Sequence, residues 1–275
     1  MSGWQGRVPT DAVELAGLVP FAGPAPSTQA DKDARRARKV VGSLTEAISR
    51  SGLGDGDTIS FHHHFREGDL LILQVLAEVE ALGIRGLTLA SSSLNACHGD
   101  VVGYIERGVV SRIYTSGMRG TLAARISRGG LLPHPVQVHS HGGRAALMAS
   151  GELRPKVAFL GVSACDEFGN ANGTSGASRC GSLGYALVDA MFAETVVLVT
   201  EQVVAFPNTP AVIRQNRVDL IVVVERVGDP SRINVGATRT TTNPRDLLIA
   251  RRATDVVEHG GFFVDGFSIQ TGSGG

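Results

Sequence analysis

Val157-Ala-Phe-Leu-Gly161 runs straight into Val-Ser-Ala-Cys-Asp-Glu-Phe-Gly-Asn-Ala-Asn-Gly173, so a short apolar stretch opens into a loop of glycine, asparagine and acidic residues. A strand that is apolar at every position, with no alternation, has both faces covered, which is the condition of a strand inside a parallel sheet. Thr195-Val-Val-Leu-Val199 and Asp219-Leu-Ile-Val-Val-Val224 repeat the pattern downstream. Upstream, Asp57–Phe61, Gly86–Ala90, Val109–Tyr114 and Val136–His139 read as strands. Between them, Asp69–Leu82, Val101–Arg107 and Leu122–Arg128 carry helical periodicity. Short strands separated by long crossovers are what parallel pairing needs. The expected fold class is α/β, a mostly parallel open sheet flanked by helices in three layers, with a division near residues 140–155 as an alternative to one domain.

The ends of the chain read differently. Residues 1–34 hold Pro9, Pro20, Pro24 and Pro26 with little periodicity, and are expected to form an extended N-terminal arm ahead of a domain over 35–275. The basic run Asp31–Lys39 leads into Val40, Val41, Leu44 and Ile48 at helical spacing, and Gly52 closes that helix. Asn243-Pro-Arg-Asp-Leu-Leu-Ile-Ala-Arg-Arg-Ala253 gives an N-cap, a proline at the first helical position and an apolar stripe.

Composition narrows the function classes. Lys+Arg and Asp+Glu are equal at 26 each, so no global field argues for a nucleic-acid partner. No run is long and charge-free enough for a membrane span and no signal-peptide pattern opens the chain, so a soluble cytoplasmic protein is expected. Cys97, Cys165 and Cys180 cannot all pair with one another and lack a zinc or redox spacing, which agrees with a reducing compartment.

Candidate sites fall at strand ends, where ligands bind in open parallel sheets. After Gly161, Asp166, Glu167, Asn170 and Asn172 can hold a substrate; equally, Asp166, Gly169 and Asn170 can build consecutive turns through local side-chain bonds. Ser91–His98 offers hydroxyls and amides that bind an anion or cap a helix. Arg119 in Tyr114–Gly120 can grip a carboxylate bidentately or sit in solvent. His62-His-His64 and His139-Ser-His141 lack a carboxylate or cysteine partner at metal-ligand spacing, so no metal is expected; hydrogen bonding to a polyanion remains open to them. Glu201 lies just beyond a strand, facing a cleft or capping a turn. Gly52-Leu-Gly-Asp-Gly56 precedes a strand and reads as a connection, not a dinucleotide fingerprint. The closely spaced glycines of Gln270-Thr-Gly-Ser-Gly-Gly275 let a backbone approach a thioester carbonyl or phosphate and aim its N–H groups at it.

Taken together, Ser60-Phe-His-His, Leu87–Leu94, Arg112–Gly117, Val138–Arg144, Cys165–Gly173, Gly181–Tyr185, Gly236–Arg239, Thr242–Arg251 and Gly266–Gly275 resemble the citrate lyase alpha subunit family of the class I coenzyme A-transferase superfamily, from about Arg35 to Gly275. The resemblance implies a coenzyme A-transferase-like (NagB/RpiA-like) three-layer domain. It implies exchange of acetate for citrate on the thioester of an acyl-carrier (gamma) subunit, with a beta subunit cleaving the citryl thioester to oxaloacetate. No tightly bound cofactor follows from it; coenzyme A, or phosphoribosyl-dephospho-coenzyme A on the carrier, is the thioester substrate. Gly272, Gly274 and Gly275 match the family's glycine-rich cradle, and with Asn170 they are the expected binding residues. Family members continue for about another domain, and the superfamily takes its nucleophilic glutamate from that second half or from a separate subunit, so neither Glu167 nor Glu201 is assigned that role and, if the enzyme is split, a second transferase half is an expected partner. Half of another carboxylate coenzyme A-transferase, or a non-catalytic component of the complex, are the alternatives.

Overall fold

The apolar runs become parallel strands, and the intervals between them become helices or strand-end loops. The computed structural model describes residues 39–233 and 241–269. The expected arm and Gly272, Gly274 and Gly275 lie outside the described residues.

In chain order the elements are β1 (Val40–Val41), α1 (Leu44–Ser51), β2 (Thr58–Phe61), α2 (Leu71–Ala81), β3 (Leu87–Ser91), α3 (Val101–Glu106), β4 (Val110–Thr115), α4 (Gly120–Ser127), β5 (Gln137–Val138) and α5 (His141–Ser150). There follow β6 (Val157–Val162), β7 (Ala164–Asp166), β8 (Ala171–Asn172), α6 (Tyr185–Phe192), β9 (Thr195–Thr200), β10 (Val203–Val204), β11 (Leu220–Val223), α7 (Pro230–Ile233) and α8 (Pro244–His259). The main sheet has the order β1-β11-β9-β6-β2-β3-β4-β5 with every pair parallel, and β10-β7-β8 form a small second sheet.

Local chemistry sets the helix ends. Ser43 accepts the Glu46 N–H at the start of α1, and Gly52 closes it in the left-handed region at φ 67°. Val40 and Val41 are therefore not on that helix as their spacing suggested. They form an edge strand against Ile221 and Val222, because an apolar pair just before a serine cap gains more from sheet pairing than from the first helical turn. Asn243 caps α8 by accepting the Arg245 N–H, with Pro244 at the first turn as its sequence predicts. The 140–155 interval is no division: Ser140 caps α5, which runs on into β6.

Alternate residues of the central strands feed opposite layers. Val157 and Phe159 join a cluster with Ile59, Ile72, Leu76, Val197 and Val199, whereas Ala158, Leu160 and Val162 join Ala186, Ala190, Val196 and Leu198. Each such valine, leucine, isoleucine or phenylalanine, buried, contributes about 1.5–3 kcal/mol. Helix α8 differs: none of its residues is buried, and Leu247, Leu248, Ile249 and Val256 are exposed.

The chain passes from β2 outward through β3, β4 and β5, returns to β6 beside β2, and then proceeds the other way to β9 and β11. The order reverses between β2 and β6. In a doubly wound sheet that reversal leaves a crevice at the carboxyl ends of the two strands, because their following loops diverge to opposite sides.

Candidate functional site

Register assembles one edge of this crevice. Phe61 pairs with Ser91, Ser91 with Thr115, and Thr115 with Val138, so the residues that follow these strands, His62, Ser92, Ser116 and His139, leave the sheet along one row. Across the switch point Val162 pairs with Thr200, which sends Ser163 and Glu201 off the same end.

Three histidines follow β2. His62 is 3% exposed, and its ring stacks on that of His64 with centroids 3.2 Å apart. Neither ring nitrogen of His62 has a hydrogen-bond partner among the described residues. His64 Nε2 lies 3.4 Å from the Gly161 carbonyl, across the switch point. Gly161 must be glycine, since a Cβ there would overlap the Phe65 ring.

His63 turns towards a different group. The Ser92 hydroxyl oxygen accepts the His63 backbone N–H at 3.0 Å and sits 2.6 Å from its Nδ1. With its oxygen accepting the amide proton, the Ser92 hydroxyl keeps its own proton to give to Nδ1, and in that tautomer Nε2 carries the ring's hydrogen as an available donor. The His63 ring meets His141 edge-on at 5.6 Å and Tyr185 at 6.1 Å, and His141 meets Tyr185 at 5.3 Å. His141 opens α5, whose Ser140 cap accepts the Gly143 N–H at 3.0 Å.

Burial removes charge from the β2 histidines. Desolvation first, then His141, Arg66 and Arg144, takes His63 down to about 4 against the opposing pull of Asp69. His64 falls to about 3, again mainly by burial. His62 is held well below the ordinary histidine value by burial and then by His64, His63 and Arg144. At neutral pH all three are neutral rings, so this edge offers directional N–H and O–H donors to an anion in place of a block of positive charge.

One turn beneath the rings lies an ion pair. Arg144 and Asp189 are 1% and 0% exposed; Nη1 and Nη2 of Arg144 donate to the two carboxylate oxygens at 3.1 and 2.8 Å. Arg144 Nη2 also donates to Ser60 Oγ at 2.9 Å, and Ser60 donates to Asp189. Sequence patterning assigns no role to this trio or to Tyr185. Its one visible signal is a lone carboxylate inside the apolar Tyr185-Ala-Leu-Val-Asp-Ala-Met-Phe192, which on a buried helix demands a cationic partner.

The other predicted residues divide. Asp166 Oδ1 accepts the N–H groups of Phe168, Gly169 and Asn170 at 3.0 Å each, and its Oδ2 accepts from Asn170 and Asn208. Asn170 Oδ1 accepts the Gln215 N–H, so the turn-building alternative accounts for these contacts of Asp166 and Asn170. Asn172 likewise holds Thr174, Ser175 and Asn208. Glu201 Oε1 accepts the Val227 and Gly228 N–H groups and the Ser178 hydroxyl. In the Ser91–His98 segment, His98 Nδ1 accepts the Asn95 N–H and Asn95 accepts the His98 N–H, a reciprocal cap. Arg119 is exposed. Among the described residues no group of three or more histidines, cysteines or carboxylates is arranged to hold a metal, and no helix is long and apolar enough to cross a membrane.

Comparison with known proteins gives one answer at several levels. The family model "Citrate lyase, alpha subunit" matches residues 37–275. The citrate lyase alpha chain of Escherichia coli K12 is 59% identical over 252 residues, covering 92% of this chain and 49% of that one. The corresponding Klebsiella pneumoniae chain is 58% identical over 261 residues, covering 94% and 51%. The chain thus spans about half the length of the curated relatives it matches. A Streptococcus mutans structure described as a citrate lyase alpha subunit in complex with citrate superposes with a TM-score of 0.80 at 46% identity, over 90% of this chain and 48% of that one. An acyl-CoA transferase of E. coli O157:H7 shares the fold, with a TM-score of 0.56 at 14% identity, over 78% of this chain and 54% of that one. With a coenzyme A-transferase fold and a family match reaching from residue 37 to residue 275, the chain belongs to the citrate lyase alpha subunit family.

Proposed function

We propose that this chain is the acid-binding half of a citrate lyase transferase, which exchanges acetate for citrate on the thioester of an acyl-carrier subunit. In the net reaction the acetyl carbon–sulfur bond and one carboxylate carbon–oxygen bond of citrate break, while a citryl carbon–sulfur bond and a carbon–oxygen bond of acetate form. Citrate loses one carboxylate charge to the departing acetate, and no proton is consumed. The reading rests on one observation: a switch-point crevice edged by neutral imidazole and hydroxyl donors, in a chain 46% identical to one solved with citrate.

Its chemistry follows from those donors. Neutral N–H and O–H groups bind a carboxylate without neutralising it, so an acid held by His63 Nε2–H and the Tyr185 hydroxyl keeps its nucleophilic charge. Holding it against a thioester carbonyl makes the exchange effectively intramolecular. Backbone amides stabilise the oxygen charge that develops at that carbonyl; Gly272, Gly274 and Gly275 are the residues proposed for this. Coenzyme A or the carrier's phosphoribosyl-dephospho-coenzyme A serves as thioester substrate, and the partners are the beta and gamma subunits and the second transferase half.

The test is thioester exchange on an acetylated carrier, by the chain with and without the remaining half of the relatives' length, comparing citrate with other short carboxylates. Acetate release that needs both halves and prefers citrate supports the proposal. Preference for another acid would leave a transferase and remove citrate; no exchange in any combination would remove the transferase itself.

A further inference from the structure

The Arg144–Asp189–Ser60 trio joins the same three elements that carry the ring cluster. Arg144 lies three residues after His141 on α5, Asp189 four residues after Tyr185 on α6, and Ser60 three residues before His63 at the end of β2. On α5 and α6, spacings of three and four place each pair on one helix face, so a bond at the lower level fixes His141 and Tyr185 one turn above it, while Ser60 anchors the strand that leads into His63. We propose that this buried trio is a positioning device for the acid-binding rings, setting the distances among His63, His141 and Tyr185. The inference rests on the reading of those rings as the acid site.

Three observations carry it. The guanidinium is bidentate on Asp189, and its Nη2 also reaches Ser60 Oγ, so the angle between α5, α6 and β2 is fixed as well as their separation. Apolar side chains of similar volume would join the three elements at least as stably, since a buried ion pair often does no better than break even against desolvation; direction is what the pair adds. The cost is also visible, because Arg144 Nε is buried with no partner among the described residues. The rings above touch one another at 5.3–6.1 Å, and the Ser92 bonds to His63 and the Ser140 cap add local ties at that level.

The experiment compares the chain with the double variant R144M/D189L, with S60A and with R144K. Each is followed by thermal melting, by long-range 15N–1H spectra of the histidine rings without ligand, and by citrate titration. The apolar double variant is expected to melt within a few degrees of the parent. It should nevertheless lose the single His63 tautomer signal set by Ser92 and bind citrate at least tenfold more weakly. S60A, which leaves the ion pair in place, covers the case in which the double variant fails to fold, and is expected to shift the His63 and His141 signals in the same direction by a smaller amount. R144K should not restore the rings, because an ammonium cannot make two parallel bonds to Asp189 and a third to Ser60.

Unchanged ring spectra in folded R144M/D189L or in S60A would overturn the proposal. H63Q separates it from the functional reading. If H63Q weakens citrate binding and the trio variants do not, positioning fails alone; if H63Q leaves citrate binding intact, the acid-site reading fails with it.

Discussion

Lowering the pH from 7 to 5 is expected to destabilise this fold through the stacked imidazoles of His62 and His64. Both have folded pKa values below the ordinary 6.5, so the unfolded chain takes up their protons first. Stability therefore falls as the pH drops below 6.5 and, for His64, stops falling near its folded value of about 3. At pH 5 the gap to 6.5 is about 1.5 units, and at 1.36 kcal/mol per unit the His64 ring costs about 2 kcal/mol at most, somewhat less for its partial exposure. That is a sizeable share of a typical 5–15 kcal/mol. The His62 ring, lowered mainly by burial, acts in the same direction. The geometry gives the same sign, since two charged rings cannot remain 3.2 Å apart without strong repulsion. The assay is urea unfolding at pH 7, 6 and 5 for the chain and for H64Q. Taking the difference between the two cancels titrations elsewhere, and H64Q is expected to lose up to about 2 kcal/mol less than the parent between pH 7 and 5. Equal losses, within about 0.5 kcal/mol, would refute the reasoning.

Other perturbations separate the site's scaffold from its surface. G161A is expected to cost about 1–3 kcal/mol in urea unfolding and to displace His64, because the added Cβ overlaps the Phe65 ring; a wild-type midpoint would show that the Phe65 ring lies less closely against β6 than described. E201A should destabilise by about 1–3 kcal/mol by leaving the buried Val227 and Gly228 N–H groups without an acceptor, whereas a loss of exchange activity with stability intact would return Glu201 to the chemistry. F159A should cost about 3–5 kcal/mol in the core, while L248D on exposed α8 should stay within about 0.5 kcal/mol; chemical denaturation of both variants checks the contrast.

Short-range chemistry controls the features that can be read directly along the chain. The unbroken apolar runs at Val157, Thr195 and Asp219 require strands covered on both faces, and such strands in a βα rhythm require a parallel sheet. The left-handed glycine after α1 and the asparagine–proline start of α8 follow from bonds within a few residues. Val40 and Val41 show the limit: helical spacing placed them on α1, and an edge pairing with a strand some 180 residues away claimed them instead. The histidine groups were legible as strand-end donors, but which ring faces which depends on the register between β2, β3 and β4 and on where α5 and α6 cross. The Asn170 and Glu201 contacts, and above all the Arg144–Asp189–Ser60 trio, bring together residues far apart in the chain. No local pattern encodes such a meeting, because burial of a charge is tolerated only where the folded chain delivers its partner, and that is decided by the tertiary structure alone.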